Sequence, residues 1–217
     1  AADTSADTTK DTAAAKLETG EETGNSSAVK ADPVEKKKVY VSPDWVQSVL
    51  DGNQEESKDY MVLECAWGTV QDAASYKDGH IVGAYHMNTD DIESEEYWNI
   101  RTPEEIKALM AEYGITKDTT VICYSDKGTN SADDRVAFTL LWAGVENVKC
   151  LDGGFEAWLE SGYETEKTIN TPQAADKEFG VEIPAHPEYI LSIDQVKEKL
   201  ADDDNFKLVS IRSRDEF

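Results

Sequence analysis

Ser125 follows the apolar run TTVICY and opens the loop Ser125, Asp126, Lys127, Gly128, Thr129 and Asn130. A loop between a buried strand and a helix N-terminus turns successive backbone N–H groups toward one spot, where a thiolate or an oxyanion is stabilised. The side chain offered at that spot is a hydroxyl. A serine nucleophile needs a base such as histidine, and none of the three histidines lies in this loop. A Cys-x5-Arg phosphate loop is absent too, because Ser125 stands at the Cys position and Ser131 at the Arg position. The chain therefore contains no catalytic residue in its own loop.

The other chemistry-bearing residues read as structural. Cys65 and Cys123 sit in the apolar runs MVLECAW and VICY, and Cys150 ends a third, where cysteine behaves as a small buried hydrophobe. Three cysteines without metal-ligand spacing point away from a disulfide framework or a zinc site, and neither metal nor cofactor is expected. A sulfur carrier using Cys65 or Cys150 is a lesser reading, open to test by thiol labelling. His80 and His86 read as turn and packing residues, and His186 falls in a linker.

The elements that position these residues follow from pattern. Beyond Val39 short apolar runs alternate with helical segments, the signature of an α/β domain. Ser42 and Pro43 read as N-cap and first position of a helix to about Leu50. MVLEC, HIVGAYHM, TTVICY and VENVKCL read as strands. Thr102, Pro103 and Glu105 form a capping box that opens a helix to about Tyr113, closed by Gly114. Residues 131–143 read as a helix that packs Val136, Leu140 and Ala143 on the sheet. Strands separated by helices predict a mostly parallel sheet covered on both faces.

The pattern then begins again. Ser42, Asp44, Val46 and Leu50 match Ser192, Asp194, Val196 and Leu200 at a spacing of 150, and MVLE matches KLVS at 207–210 after a shorter connection. This predicts a domain over 38–168, a linker over 169–188 and the start of a second copy over 189–217, too short to bury a core alone.

Residues 1–37 are rich in Ala, Thr, Ser, Gly and charge and read as a disordered leader. Such a leader suits an exported protein of the periplasm or cell surface whose signal peptide or lipid-anchor signal has been removed; an arbitrary boundary is the other reading. As a flexible coil it reaches about 30 to 36 Å. No apolar run approaches the roughly 18 residues that span a bilayer. Lys and Arg number 21 against 45 Asp and Glu, and the net charge of -24 argues against nucleic acid as partner. A local site for a small anion remains compatible with it, because charge is screened over about 8 Å.

GHIVGAYH at 79–86 and LDGGFEAW at 151–158, followed by Gly162, together resemble the rhodanese family of sulfurtransferases, as does the Ser125-x-x-Gly128 spacing of the loop. The resemblance covers about 39–168 and again 189–217. It implies a tandem sulfurtransferase of the thiosulfate or mercaptopyruvate kind, in which the first domain lacks the catalytic cysteine and the second bears it. Ser125 occupies the nucleophile position. Sulfane transfer needs a sulfur that can form and break an S–S bond, so the first copy is expected to form no persulfide. Glu64 and Ser125 are 61 residues apart, which puts the nucleophile about sixty residues past Ser210, beyond this chain. VSIRSRDEF resembles a family pocket element, with Arg212 and Glu216 as substrate-binding residues, although Ser210 replaces the usual Asp. Glu216, rather than Arg, favours thiosulfate over mercaptopyruvate. The resemblance implies thiosulfate as donor and cyanide or a thiol as acceptor. Arg135 matches a family Arg and reads as an interface or salt-bridge residue rather than a catalytic one. Trp67 is open to two readings, a cleft wall between domains or simple packing. The rival to the enzyme is a non-catalytic binding module whose Ser125 loop holds an anion or a partner protein.

Overall fold

The computed structural model describes residues 28–126, 131–174 and 176–215. Its centre is a five-stranded parallel sheet of β1 (Tyr40–Val41), β2 (Tyr60–Ala66), β4 (Tyr85–Asn88), β5 (Thr120–Tyr124) and β6 (Asn147–Leu151), in the order β1-β6-β5-β2-β4. A second, two-stranded antiparallel sheet joins β3 (His80–Ile81) to β7 (Thr165–Glu166). The helices are α1 (Pro43–Leu50), α2 (Ala74–Asp78), α3 (Pro103–Tyr113), α4 (Ala132–Ala143), α5 (Gly154–Glu160) and α6 (Ile193–Asp202).

Strand alternation divides the core into two layers. Val121 and Cys123 of β5 pack with Leu63, Val148, Cys150 and the apolar faces of α3 and α4. Ile122 and Tyr124 point the other way, toward Trp45, Val46 and Val49 of α1 and Trp158 of α5. Both faces are thus covered by helices, as the near-continuous apolar strands require. Ser42 caps α1 through Trp45 N, and the Thr102–Glu105 capping box opens α3, which Gly114 closes at φ 73°.

Four sequence expectations change. HIVGAYHM is two strands in different sheets, because Gly83 at φ 78° turns the chain between them. Residues 28–37, assigned to the leader, lie against the domain: Asn53 Nδ2 donates to Val29 O and Gln54 Nε2 to Ala31 O, at 2.7 and 2.9 Å. Lys149, fully buried on β6, donates to the carbonyls of Glu35, Lys36 and Lys38. The linker over 169–188 is also packed, with Phe179 and Ile183 in the core and Lys117 N bonded to Phe179 O. Over 189–215, where a second copy was expected to start, Ser192 caps α6 in a capping box with Gln195, yet α6 buries no residue and KLVS forms no strand. A lone strand has no neighbour for its ladder, which accounts for the missing element.

Candidate functional site

β5 delivers Ser125 to the carboxyl end of the parallel sheet, the edge at which open α/β sheets bind ligands. Its backbone is held by the glycine pair of LDGG. Ser125 O accepts from Phe155 N at 3.1 Å, and a Cβ on Gly154 would lie 2.5 Å from that oxygen. Gly153 and Gly154 also carry φ of 79° and 61°, so this approach depends on glycine at both positions. On the other side, Ser125 Oγ donates to Asp133 Oδ1 at 2.7 Å, in the first turn of α4. Ser131 at the N-cap of α4 is left-handed, with φ 60° and no side-chain cap. Lys127, Gly128, Thr129 and Asn130 lie outside the described residues.

The surroundings of Ser125 are acidic. A shallow cleft of about 220 Å³ is lined by Ser125, Asp126, Asp133, Asp134 and Glu156 together with Tyr40. No cation is found among its described lining residues. Burial raises the Asp126 carboxyl, a hydrogen bond from Ser75 lowers it, and the Glu64 charge adds to the rise. Tyr40 donates to Asp134 at 2.7 Å, and that bond, with burial, pushes its phenol up to about 12. Negative charge of this density repels an anion, so the described part of the loop does not fit the anion-holding module.

The pattern of the rhodanese-like domain matches residues 43–161. The chain belongs to this family. The chain is 39% identical over 180 residues to thiosulfate sulfurtransferase YnjE of Escherichia coli strain K12, an alignment covering 82% of this chain and 40% of that protein. The crystal structure of YnjE superposes with a TM-score of 0.67 at 36% identity, over 73% of this chain and 38% of that one. An anaerobic ergothioneine biosynthesis enzyme from Chlorobium limicola, solved with trimethyl histidine, gives a TM-score of 0.70 at 34% identity, over 81% and 44%. The chain thus spans well under half the length of each of these relatives.

All three thiols of the rhodanese-like domain are free and fully buried. Burial pushes Cys65 and Cys150 well above the usual thiol range, which removes the nucleophilic thiolate that a sulfur carrier needs. Asp133, Asp134 and Cys150 bring three potential ligand atoms within 4.8 Å of one another, but Asp133 already accepts from Ser125 and Asp134 from Tyr40. His80 stacks on Tyr76 at 3.8 Å, and its Nδ1 lies 2.6 Å from Tyr76 O, so it is a packing residue. His86 is buried against Glu64. Of the two duties open to Arg135, the structure shows the salt bridge: it pairs with Glu93 and donates to Trp98 O at 3.0 Å.

Trp67 is 71% exposed, which removes the simple packing role. Tyr97 and Trp98, which sequence reasoning passed over, are 79% and 55% exposed with φ of 76° and 55°. The only trace of them in sequence is an aromatic pair inside the polar stretch ESEEYWN. Consecutive bulky residues in the left-handed region are strained, and such strain persists where surrounding contacts enforce it. Here Trp98 N donates to Ser94 O, and Arg135 holds the carbonyl. Arg212 is exposed on the C-terminal segment, and Glu216 lies outside the described residues. The structure therefore does not bring Arg212 together with the Ser125 loop into one described pocket.

Proposed function

We propose that this chain is the N-terminal part of a tandem rhodanese-type sulfurtransferase that moves sulfane sulfur from thiosulfate to cyanide or a thiol. The observation that carries the reading is Ser125, a hydroxyl tied to Asp133 at the expected nucleophile position, in a chain 39% identical over 180 residues to a thiosulfate sulfurtransferase. The catalytic cysteine belongs to the second copy, about sixty residues past Ser210 by the spacing of the first. Its thiolate attacks the outer sulfur of thiosulfate. The S–S bond breaks, sulfite leaves with the electron pair, and a persulfide remains on the cysteine. Attack by cyanide or a thiolate on the terminal sulfur then restores the thiolate.

In this reading the first domain is scaffold and cleft wall. Trp67, Tyr97 and Trp98 supply exposed aromatic surface for the cleft. The C-terminal segment supports it as well: Ile193, Leu208, Val209 and Ile211 are 67 to 98% exposed, apolar surface that the rest of a second copy would cover. Arg212 and Glu216 would then line the substrate pocket beside the missing cysteine, with Glu216 favouring thiosulfate. The protein is exported to the periplasm or cell surface, with a lipid anchor through the leader as one means of holding it there. Nucleic acid is no partner of a chain at -24. The test is a thiosulfate:cyanide assay of this chain beside the product of the complete reading frame. Activity is expected only in the second, and activity in neither overturns the reading.

A further inference from the structure

His86 of β4 is the register partner of Glu64 on β2, on the sheet face shared by Val62 and Tyr124. Its Nδ1 lies 2.5 Å from Glu64 Oε2 and its Nε2 lies 2.9 Å from Gly68 O. His86 is 7% exposed and Glu64 1%. Both ring nitrogens therefore face acceptors in a largely buried site. A neutral imidazole has a single N–H, so satisfying a carboxylate and a carbonyl together needs one more proton, held between the ring and Glu64. The carbonyl cannot supply it, so Nε2–H donates to Gly68 O. When the extra proton leaves, the remaining ring proton goes to the stronger acceptor, the carboxylate, and Gly68 O is left facing a lone pair.

Gly68 is the pivot of the loop that carries Trp67. It has φ 99°, and its N–H donates to Asn88 Oδ1 at 2.9 Å. β4 thus grips Gly68 twice, by carbonyl through His86 and by amide through Asn88. Trp67 precedes it directly and, largely solvent-exposed, has little packing of its own to fix its direction.

We infer that His86 is a positioning residue: its imidazolium, braced by Glu64, fixes the Gly68 peptide and so aims Trp67, and loss of the proton releases the loop. The role of Trp67 as a cleft wall rests on the proposed function; the coupling of Trp67 to His86 does not.

The groups packed around His86 favour the charged ring. Beside Glu64 from β2, Asp91 contributes from the turn after β4, and Glu112 of α3 lines the same 260 Å³ pocket as His86 and Asp91. Tyr76 of α2 presents its ring at 5.7 Å and also stacks on His80, while Tyr113 donates its hydroxyl to His86 O at 2.7 Å. Asp126 reaches Glu64 electrostatically from the Ser125 loop. Burial pulls the imidazole down, yet the bonds to Glu64 and Gly68 lift it above its usual value.

The test labels the protein with 5-fluorotryptophan, assigns the Trp67 resonance by its loss in Trp67→Phe, and follows it with pH beside the His86 ring proton. The Trp67 resonance is expected to move with the His86 midpoint in the unaltered chain, which needs no variant to fold. Glu64→Gln is expected to lower both midpoints together by about one unit or more. His86→Gln, which keeps a neutral donor toward Gly68, is expected to hold Trp67 at its low-pH position throughout. A Trp67 resonance that stays flat while His86 titrates, or that keeps its midpoint in Glu64→Gln, overturns the inference. Sulfurtransferase activity is not read, so an inactive full-length protein would sink the proposed function and leave this coupling standing.

Discussion

Ser125 donates its hydroxyl to Asp133 at 2.7 Å, so the side chain that opens the loop after β5 is already satisfied by the first turn of α4. An active sulfurtransferase loop must do the reverse and stabilise negative charge on sulfur. Here the described side chains around Ser125, those of Asp126, Asp133, Asp134 and Glu156, are carboxylates that oppose such a charge.

That conflict predicts the behaviour of Ser125→Cys. The introduced thiol would sit against the Asp133 carboxylate, and a neighbouring like charge raises a thiol's pKa. Iodoacetamide should label it slowly at pH 7, and Ser125→Cys/Asp133→Asn should label about tenfold faster, equivalent to about one unit of pKa. Fast labelling of the single variant at pH 7 would contradict this account of the loop.

Gly154 of LDGG is pressed against a backbone oxygen, whereas Gly162 faces open space. Gly154→Ala places a methyl 2.5 Å from Ser125 O at φ 61°, whereas Gly162→Ala, at φ 74°, meets nothing within 4 Å. Both should lose stability through backbone strain of about 1–3 kcal/mol, with the clash adding to the first alone. Urea unfolding checks the order, and an equal loss for both variants would remove the role given to the Ser125 contact.

Native thiol labelling gives a direct reading of burial. None of Cys65, Cys123 and Cys150 should react with a disulfide reagent in the folded protein, and all three should react in denaturant. Reaction of Cys65 or Cys150 before unfolding would restore the sulfur-carrier reading.

Lys149 anchors residues 35–38 by three carbonyls, so Lys149→Met should cost about 1–3 kcal/mol by leaving them unpaired. Burial lowers the amine from its usual 10.5 to about 8. Between those values the unfolded chain binds the proton and the folded one does not, so this site's contribution to stability rises with pH from about 8 to 10.5. The gap between the parent and Lys149→Met should therefore widen across that window, and a gap that narrows would contradict the linkage.

The core strands and capped helices were legible in sequence because their signals are local: TTVICY alternates between two apolar layers, and Thr102 and Glu105 lie three residues apart. The rest depends on distant partners. Lys149 reads as one polar residue in a strand, while the carbonyls that hold it lie 111 to 114 residues away. Glu64 and His86 are 22 residues apart and meet only through the register of β2 and β4. The landmark motifs showed where the Ser125 loop sits. That four carboxylates surround it, and that Tyr97 and Trp98 are held in the left-handed region, follows from packing alone.

The central claim is that the sulfur-bearing cysteine lies in a second copy and not in this domain. The most direct measurement is peptide mass mapping of the complete reading-frame product after incubation with thiosulfate. The account predicts an added sulfur atom on a cysteine past Phe217, in a loop that follows a strand, with Cys65, Cys123 and Cys150 unmodified. A persulfide on any of these three, or none anywhere, would contradict it.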